Sequence, residues 1–139
     1  QLREVAAGFA SDAPILTLIK KIQDSETLFN TNTPKVICDE EGHALYFSRQ
    51  TIPFLRGVEP SEWLSKHTFF KHIGLYAYRA DILPRLSALK PTSLELAESL
   101  EQLRWIQNGI RIKAIETQFE TIGIDSPEDL EKIQKMGLI

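Results

Sequence analysis

A carboxylate placed where a strand runs into a helix can hold a divalent cation or cap the helix. Asp125 sits at such a junction, between Gly123-Ile124 and the helix start Ser126-Pro127-Glu128-Asp129. Sites in open α/β sheets gather at the carboxyl ends of strands, and Mg2+ takes one or two carboxylates plus substrate phosphates. Position alone favours the capping role, in which the charge complements the helix dipole. Glu101 and Gln102 are consecutive on a predicted helix, flanked by Leu100 and Leu103, and helix geometry points them about 100° apart. One of the two must border the apolar face, where a polar group needs a partner. A ligand with hydroxyls can supply it; a solvated face, with Glu101 paired to Arg104 at i,i+3, accounts for the charge more simply. His72 shares a strand face with Tyr76 and Tyr78, although a strand histidine is more often structural than catalytic. Arg49 and Arg56 bracket Gln50-Thr51-Ile52-Pro53-Phe54-Leu55. Two guanidinium groups around a Pro-containing loop can grip a carboxylate or phosphate bidentately, though surface arginines are common. Asn32 and Lys35 open a strand within reach of a phosphate, and turn chemistry accounts for Asn32 without function.

Other chemistries are excluded by what the chain lacks. It has no G-x-x-x-x-G-K-S/T loop, no G-x-G-x-x-G after a strand, no H-E-x-x-H and no G-x-S-x-G. Cys38 is the single cysteine, so neither an intrachain disulfide nor a cysteine metal cluster can form, and three histidines (His43, His67, His72) do not make up a structural zinc site. The 16 Lys+Arg and 19 Asp+Glu leave a net charge of -3, which argues against a dedicated nucleic-acid binder. A nucleotide site needs only a few placed cations and stays open. No apolar run reaches the roughly 18 residues of a membrane span, and the first residues lack a signal-peptide pattern. A cytoplasmic location is the expectation. With 139 residues, 42% hydrophobic and 25% charged, the chain reads as one globular domain or part of one.

The elements that must position these residues alternate. Leu2–Phe9 reads as the end of a helix and Ile15–Ile19 as a buried strand. Asp24–Pro34 is polar and Asn-rich, hence a loop. Lys35–Asp39 and His43–Phe47 flank Glu40-Glu41-Gly42 as a β-hairpin. Pro53, Gly57 and Pro60 mark a loop before a helical turn at Glu62–Lys66. Phe69–Tyr78 is rich in aromatics and reads as a strand with Phe70, His72, Gly74, Tyr76 and Tyr78 on one face. Asp81–Leu89 is a short helix with Pro84 in its first turn. Thr92–Gln107 reads as one long helix, opened by a T-x-x-E capping box, stopped at Asn108-Gly109, with Leu96, Leu100, Leu103 and Gln107 on one stripe. Ile110–Ile115 is a strand, and Ser126 caps a last helix. The class is α/β with a hairpin elaboration.

The runs LFNTNTPKVICD, ALYFSRQTIPFLRG, FFKHIGLYAYRADILPRL, PTSLELAESLEQLRW and TIGIDSPEDLEKI, in this order, resemble the 3-deoxy-manno-octulosonate (KDO) cytidylyltransferases, the CMP-KDO synthetases of lipopolysaccharide-producing bacteria. The likeness spans essentially the whole chain. ALYFSR, KHIG-Y-YR and LEQLR are specific to that family, whereas G-x-D-S/T-P-E-D-L is shared with related nucleotidyltransferases. The resemblance implies a Rossmann-like nucleotidyltransferase sheet with an inserted β-rich dimerisation region, mapping to the hairpin and the His72 strand. It implies that residues 1–139 are the C-terminal portion of one cytidylyltransferase domain. The family's Arg/Lys/Gly-rich nucleotide loop and its Q-G-D-E-P segment have no counterpart here, so these residues alone are expected to be inactive. It implies Asp125 as a metal-binding, catalytic aspartate for Mg2+, His72 and Tyr76 as lining the sugar-acid pocket, Glu101 and Gln102 as its hydroxyl-recognising pair, and Arg49 and Arg56 as its cationic part. The implied reaction joins KDO to the α-phosphorus of CTP with release of pyrophosphate, in a homodimer, with neither nucleic acid nor membrane as partner. A cytidylyltransferase for another sugar acid, such as a sialic acid, and a non-catalytic sugar-binding or dimerisation module are the alternatives.

Overall fold

The computed structural model describes residues 13–119. The N-terminal helix Leu2–Phe9, Asp125 and the helix expected after Ser126 lie outside the described residues.

Strand β1 (Ile15–Lys21) is the spine, and its first five residues are buried. Burial of successive residues means that both faces of the strand are covered, which is what a continuous apolar run demands. β1 pairs in parallel with β5 (Ile112–Glu116) and antiparallel with β4 (Phe70–Tyr78). The β1–β4 register jumps between Thr17, opposite Tyr76, and Leu18, opposite Ile73. Gly74 and Leu75 therefore have no partner on β1. Because two residues are inserted, the pleat keeps its phase, and His72, Tyr76 and Tyr78 stay on the face of Ile19, Thr17 and Ile15, as the alternation predicts.

The hairpin of β2 (Lys35–Cys38) and β3 (Ala44–Ser48) extends the same sheet, giving the order β3-β2-β4-β1-β5. β2 joins β4 only through Lys35 opposite Lys71 and Val36 opposite Phe70. The hairpin tip then returns to the far edge: Ala114 N–H donates to Gly42 O at 2.9 Å, and Gly42, at φ 79°, makes the turn that allows it. The main core fills this curl with Ile15, Ile19, Val36, Phe47, Leu103, Trp105 and Ile112. A second cluster on the other sheet face contains Leu16, Leu18 and Ile73.

Two expectations need correction. Asp24–Pro34 is not all loop: α1 (Ser25–Phe29) starts there, with Asp24 Oδ1 accepting the Thr27 N–H at 2.7 Å and Leu28 buried. One and a half turns are too short to show a helical period, so the polar composition hid it. Leu28 joins Ile22, Trp63 and Phe69 in a third cluster, built on a 3-10 turn at Pro60–Glu62 and α2 (Trp63–Lys66). α3 (Leu83–Ala88) follows, with Pro84 in its first turn as expected.

Thr92–Gln107 is not one helix. It divides into α4 (Ser93–Glu98) and α5 (Gln102–Gln107) at Ser99, whose φ is 53°. A left-handed residue with a side chain is costly, and the freed carbonyls need donors. Arg49 supplies them: Nε donates to Glu98 O at 2.7 Å and Nη2 to Ser99 O at 3.2 Å. The expected stripe is broken accordingly. Leu100 and Leu103 are buried but Leu96 is 71% exposed, and the Gln107 amide serves α4 instead, accepting from Leu94 N–H at 3.0 Å.

Candidate active site

The buried face of α5 and the aromatic face of β4 meet at Trp105. Its ring stands edge-on to Tyr76 at 5.1 Å and to Tyr78 at 5.7 Å. Tyr76 in turn touches His72, ring centres 5.3 Å apart, and the edge of Phe47 meets His72 at 5.0 Å. The helix break decides what α5 presents here. Gln102, three residues before Trp105, is only 5% exposed, while Glu101 is largely exposed. The charge of Glu101 still reaches both tyrosines: burial, then neighbouring charge including Glu101, raises the Tyr76 and Tyr78 phenols above their ordinary range. His72 and Tyr76 thus adjoin Trp105 and lie within reach of the Glu101 charge, and Gln102 is buried one turn before Trp105 on the same helix.

Two polar groups here have no partner among the described residues. The Tyr76 hydroxyl is buried without a hydrogen bond, and the Gln102 amide makes none to a described residue. An unpaired buried polar group costs about 1–3 kcal/mol, so such groups mark places where a ligand or ordered water completes the pairing. His72 lies half-buried, with Nε2 2.9 Å from Thr17 Oγ1. Burial pulls its pKa down to about 4, from 6.5, so the ring is neutral at pH 7 and acts as a hydrogen-bonding group, not a charge.

This shift makes stability depend on pH. The unfolded chain protonates His72 near pH 6.5 and the folded chain near 4, so the contribution is complete above 6.5 and is lost as pH falls towards 4. Between pH 6.5 and 4.5 the loss is about 2 kcal/mol. Urea midpoints for the unmodified protein and His72→Asn should converge or cross over this window; parallel profiles would rule out a buried neutral imidazole.

The arginines are placed differently. Besides the two helix-break carbonyls, Arg49 Nη1 donates to Thr31 O at 3.3 Å, and its backbone N–H donates to Glu98 Oε2 at 2.9 Å. Arg49 therefore clamps the end of β3 to the break. Arg56 is exposed in the loop beside the Trp63 cluster and makes no hydrogen bond or ion pair with a described residue. Lys35 does not reach for a phosphate. It is fully buried, and Nζ donates to the carbonyls of Asn30 and Thr33 at 2.7 Å each and of Arg49 at 2.9 Å. Thr17 gives no sign of a site role in the sequence, because it lies within the apolar run Ile15–Ile19.

Among the described residues, Asp39, Glu41 and His43 at the hairpin tip bring three potential metal ligands within 4.8 Å of one another. The set does not fit Mg2+. Arg111 Nη2 already occupies it, 3.2 Å from Glu41 Oε2 and 2.8 Å from His43 Nδ1, and a hard cation does not share its oxygens with a guanidinium.

A family model described as cytidylyltransferase matches residues 5–122. The chain belongs to the cytidylyltransferase family. This cytidylyltransferase chain is 58% identical over 134 residues to a 3-deoxy-manno-octulosonate cytidylyltransferase of Cytophaga hutchinsonii, covering 96% of the chain and 54% of that protein. It is 50% identical over 137 residues to the protein of the same name from Parabacteroides distasonis, covering 95% and 55%. A solved CMP:2-keto-3-deoxy-manno-octonic acid synthetase complexed with CTP superposes with a TM-score of 0.84 at 36% identity, over 99% of this chain and 55% of that one. The mixed α/β fold with its five-stranded sheet is similar to that of this synthetase, and the chain spans about half the length of the relatives it matches. No described helix is long and apolar enough to cross a membrane.

Proposed function

We propose that residues 1–139 are the C-terminal, sugar-recognising portion of a cytidylyltransferase domain that activates KDO with CTP for lipopolysaccharide assembly. The observation that carries this reading is the β4–α5 face. There the Tyr76 hydroxyl is buried without a hydrogen bond beside a neutral His72, and the buried Gln102 has no side-chain partner among the described residues. Hydrogen-bonding groups of this kind suit a ligand dense in hydroxyls, and an analogue lacking one is rejected strongly because a buried group is then left unpaired. The names of the relatives and the CTP in the solved neighbour support the same reaction.

In this reaction the anomeric oxygen of KDO attacks the α-phosphorus of CTP. The bond to the β-phosphate breaks, pyrophosphate leaves with the electron pair, and the proton of the anomeric hydroxyl passes to solvent water. Such transfers rest on positioning and charge neutralisation. Glu101, Gln102, His72 and Tyr76 orient the sugar acid, while Arg56 and the remaining donors of Arg49 offer positive charge to its carboxylate or to a phosphate. Asp125 is assigned as the ligand of Mg2+, which neutralises phosphate charge when bound. A homodimer formed through the hairpin region and a cytoplasmic location complete the reading.

The test is pyrophosphate release by the complete enzyme containing this sequence, supplied with KDO, CTP and Mg2+. Release that requires all three is expected. Release with a sialic acid and none with KDO would move the substrate, and no release from a folded protein with either would overturn the reading.

A further inference from the structure

Thr17 stands at the centre of the most apolar strand and is fully buried. A hydroxyl there must be paired, and it is paired three ways. Oγ1 lies 3.0 Å from Leu75 O, 3.3 Å from Ile73 O and 2.9 Å from His72 Nε2. The two carbonyls flank Gly74, where β4 departs from register with β1, so the irregularity aims both at one hydroxyl.

A hydroxyl has one hydrogen to give. Carbonyl oxygens only accept, so that hydrogen goes to Leu75 O or Ile73 O, and the lone pairs of Oγ1 face His72. Nε2 must then carry the imidazole hydrogen. The other nitrogen, Nδ1, is left with its lone pair and has no hydrogen-bond partner among the described residues. We infer that Thr17 is a positioning residue of the sugar-acid site: it holds His72 in the Nε2–H tautomer, so that Nδ1 accepts a hydrogen from a substrate hydroxyl. The role of Nδ1 rests on the KDO reading; the tautomer does not. Phe47 and Tyr76 pack against the ring and keep it in this orientation.

The experiment is nitrogen-15 NMR of the histidine side chains in the complete enzyme, with His72 assigned by the signal lost in His72→Gln, alongside kinetics of Thr17→Val and Thr17→Ser. The unmodified enzyme and Thr17→Ser are expected to show a single Nε2–H imidazole, and Thr17→Val a mixture of tautomers. In Thr17→Val the KM for KDO should rise about tenfold, the loss of one hydrogen bond, with the KM for CTP unchanged and Thr17→Ser restoring it. Adding KDO to the unmodified enzyme should move the Nδ1 resonance, a readout that stands even where Thr17→Val does not fold. An Nδ1–H imidazole in the unmodified enzyme, or an Nδ1 resonance that KDO leaves in place, overturns the proposal. An Nε2–H imidazole in an enzyme that does not use KDO overturns the substrate and the role of Nδ1, while the hold of Thr17 on the ring stands.

Discussion

Lys35→Met is expected to destabilise the protein by about 2–5 kcal/mol, the cost of leaving buried carbonyls without their donor. Methionine matches the length and much of the volume of the lysine stem, so packing changes little. What is lost is the ammonium. Its three hydrogens are all used, by Asn30 O, Thr33 O and Arg49 O, and these carbonyls tie the turn after α1 to the end of β3. Among the described residues no carboxylate touches Nζ; burial and the Arg49 charge hold its pKa down to about 8, partly offset by Glu98. The variant leaves Thr33 O and Arg49 O facing an apolar chain, each costing about 1–3 kcal/mol unless water or a shift of the turn relieves it, while Asn30 O keeps the Thr33 N–H at 3.1 Å. Urea unfolding followed by fluorescence gives the number directly. A loss below about 1 kcal/mol would show that the turn re-pairs without the lysine.

On the proposed KDO reading, Gln102→Leu in the complete enzyme is expected to lower kcat/KM for KDO by about 10^2–10^3-fold, the effect of deleting one placed hydrogen-bonding group from a reacting site. The substitution keeps the size of a side chain that is 5% exposed, next to Leu103, which is fully buried. An apolar group there should be tolerated by the fold or improve it, because a buried amide without a partner among the described residues is removed. The prediction therefore has two parts that must hold together: catalysis with the sugar acid collapses, while the thermal midpoint stays or rises. Saturation with CTP should be unaffected. A variant that loses stability and activity in proportion would return Gln102 to a structural role.

Several features of this protein are local and legible in the amino-acid sequence. Ile15–Ile19 and Phe69–Tyr78 are runs of apolar and aromatic residues long enough to read as strands, and Glu40-Glu41-Gly42 announces a hairpin; each is found within a residue or two. The shared face of His72, Tyr76 and Tyr78 is also legible, because side chains alternate in a strand and the two extra residues at Gly74 preserve the phase. So is the family, carried by KHIGLYAYR and LEQLRW and upheld by the match over residues 5–122.

The remainder depends on groups that have no residue-type signature. Thr92–Gln107 carries a good capping box and strong helix formers, and nothing in it predicts a break at Ser99. The break is stabilised from 50 residues away, where the Arg49 guanidinium captures the carbonyls that the left-handed residue frees. Glu95 adds to this by binding Arg104 across the bend, Arg104 Nε to Oε2 at 2.7 Å. That break turns Gln102 inward and leaves Leu96 in solvent.

Lys35 and Thr17 make the same point. A lysine at a strand start reads as a surface cation and a threonine in an apolar run reads as a β-branched filler. Their roles are set by backbone carbonyls, which every residue carries, brought to them by distant segments: Arg49 O for Lys35, and Leu75 O, 58 residues on, for Thr17. The strands, the aromatic face and the family are written in the residues themselves, because each follows from side-chain pattern along a short stretch. Which polar groups are satisfied within the chain, and which are left for a ligand, is settled by the fold, because that depends on where carbonyls and amides from separate segments meet.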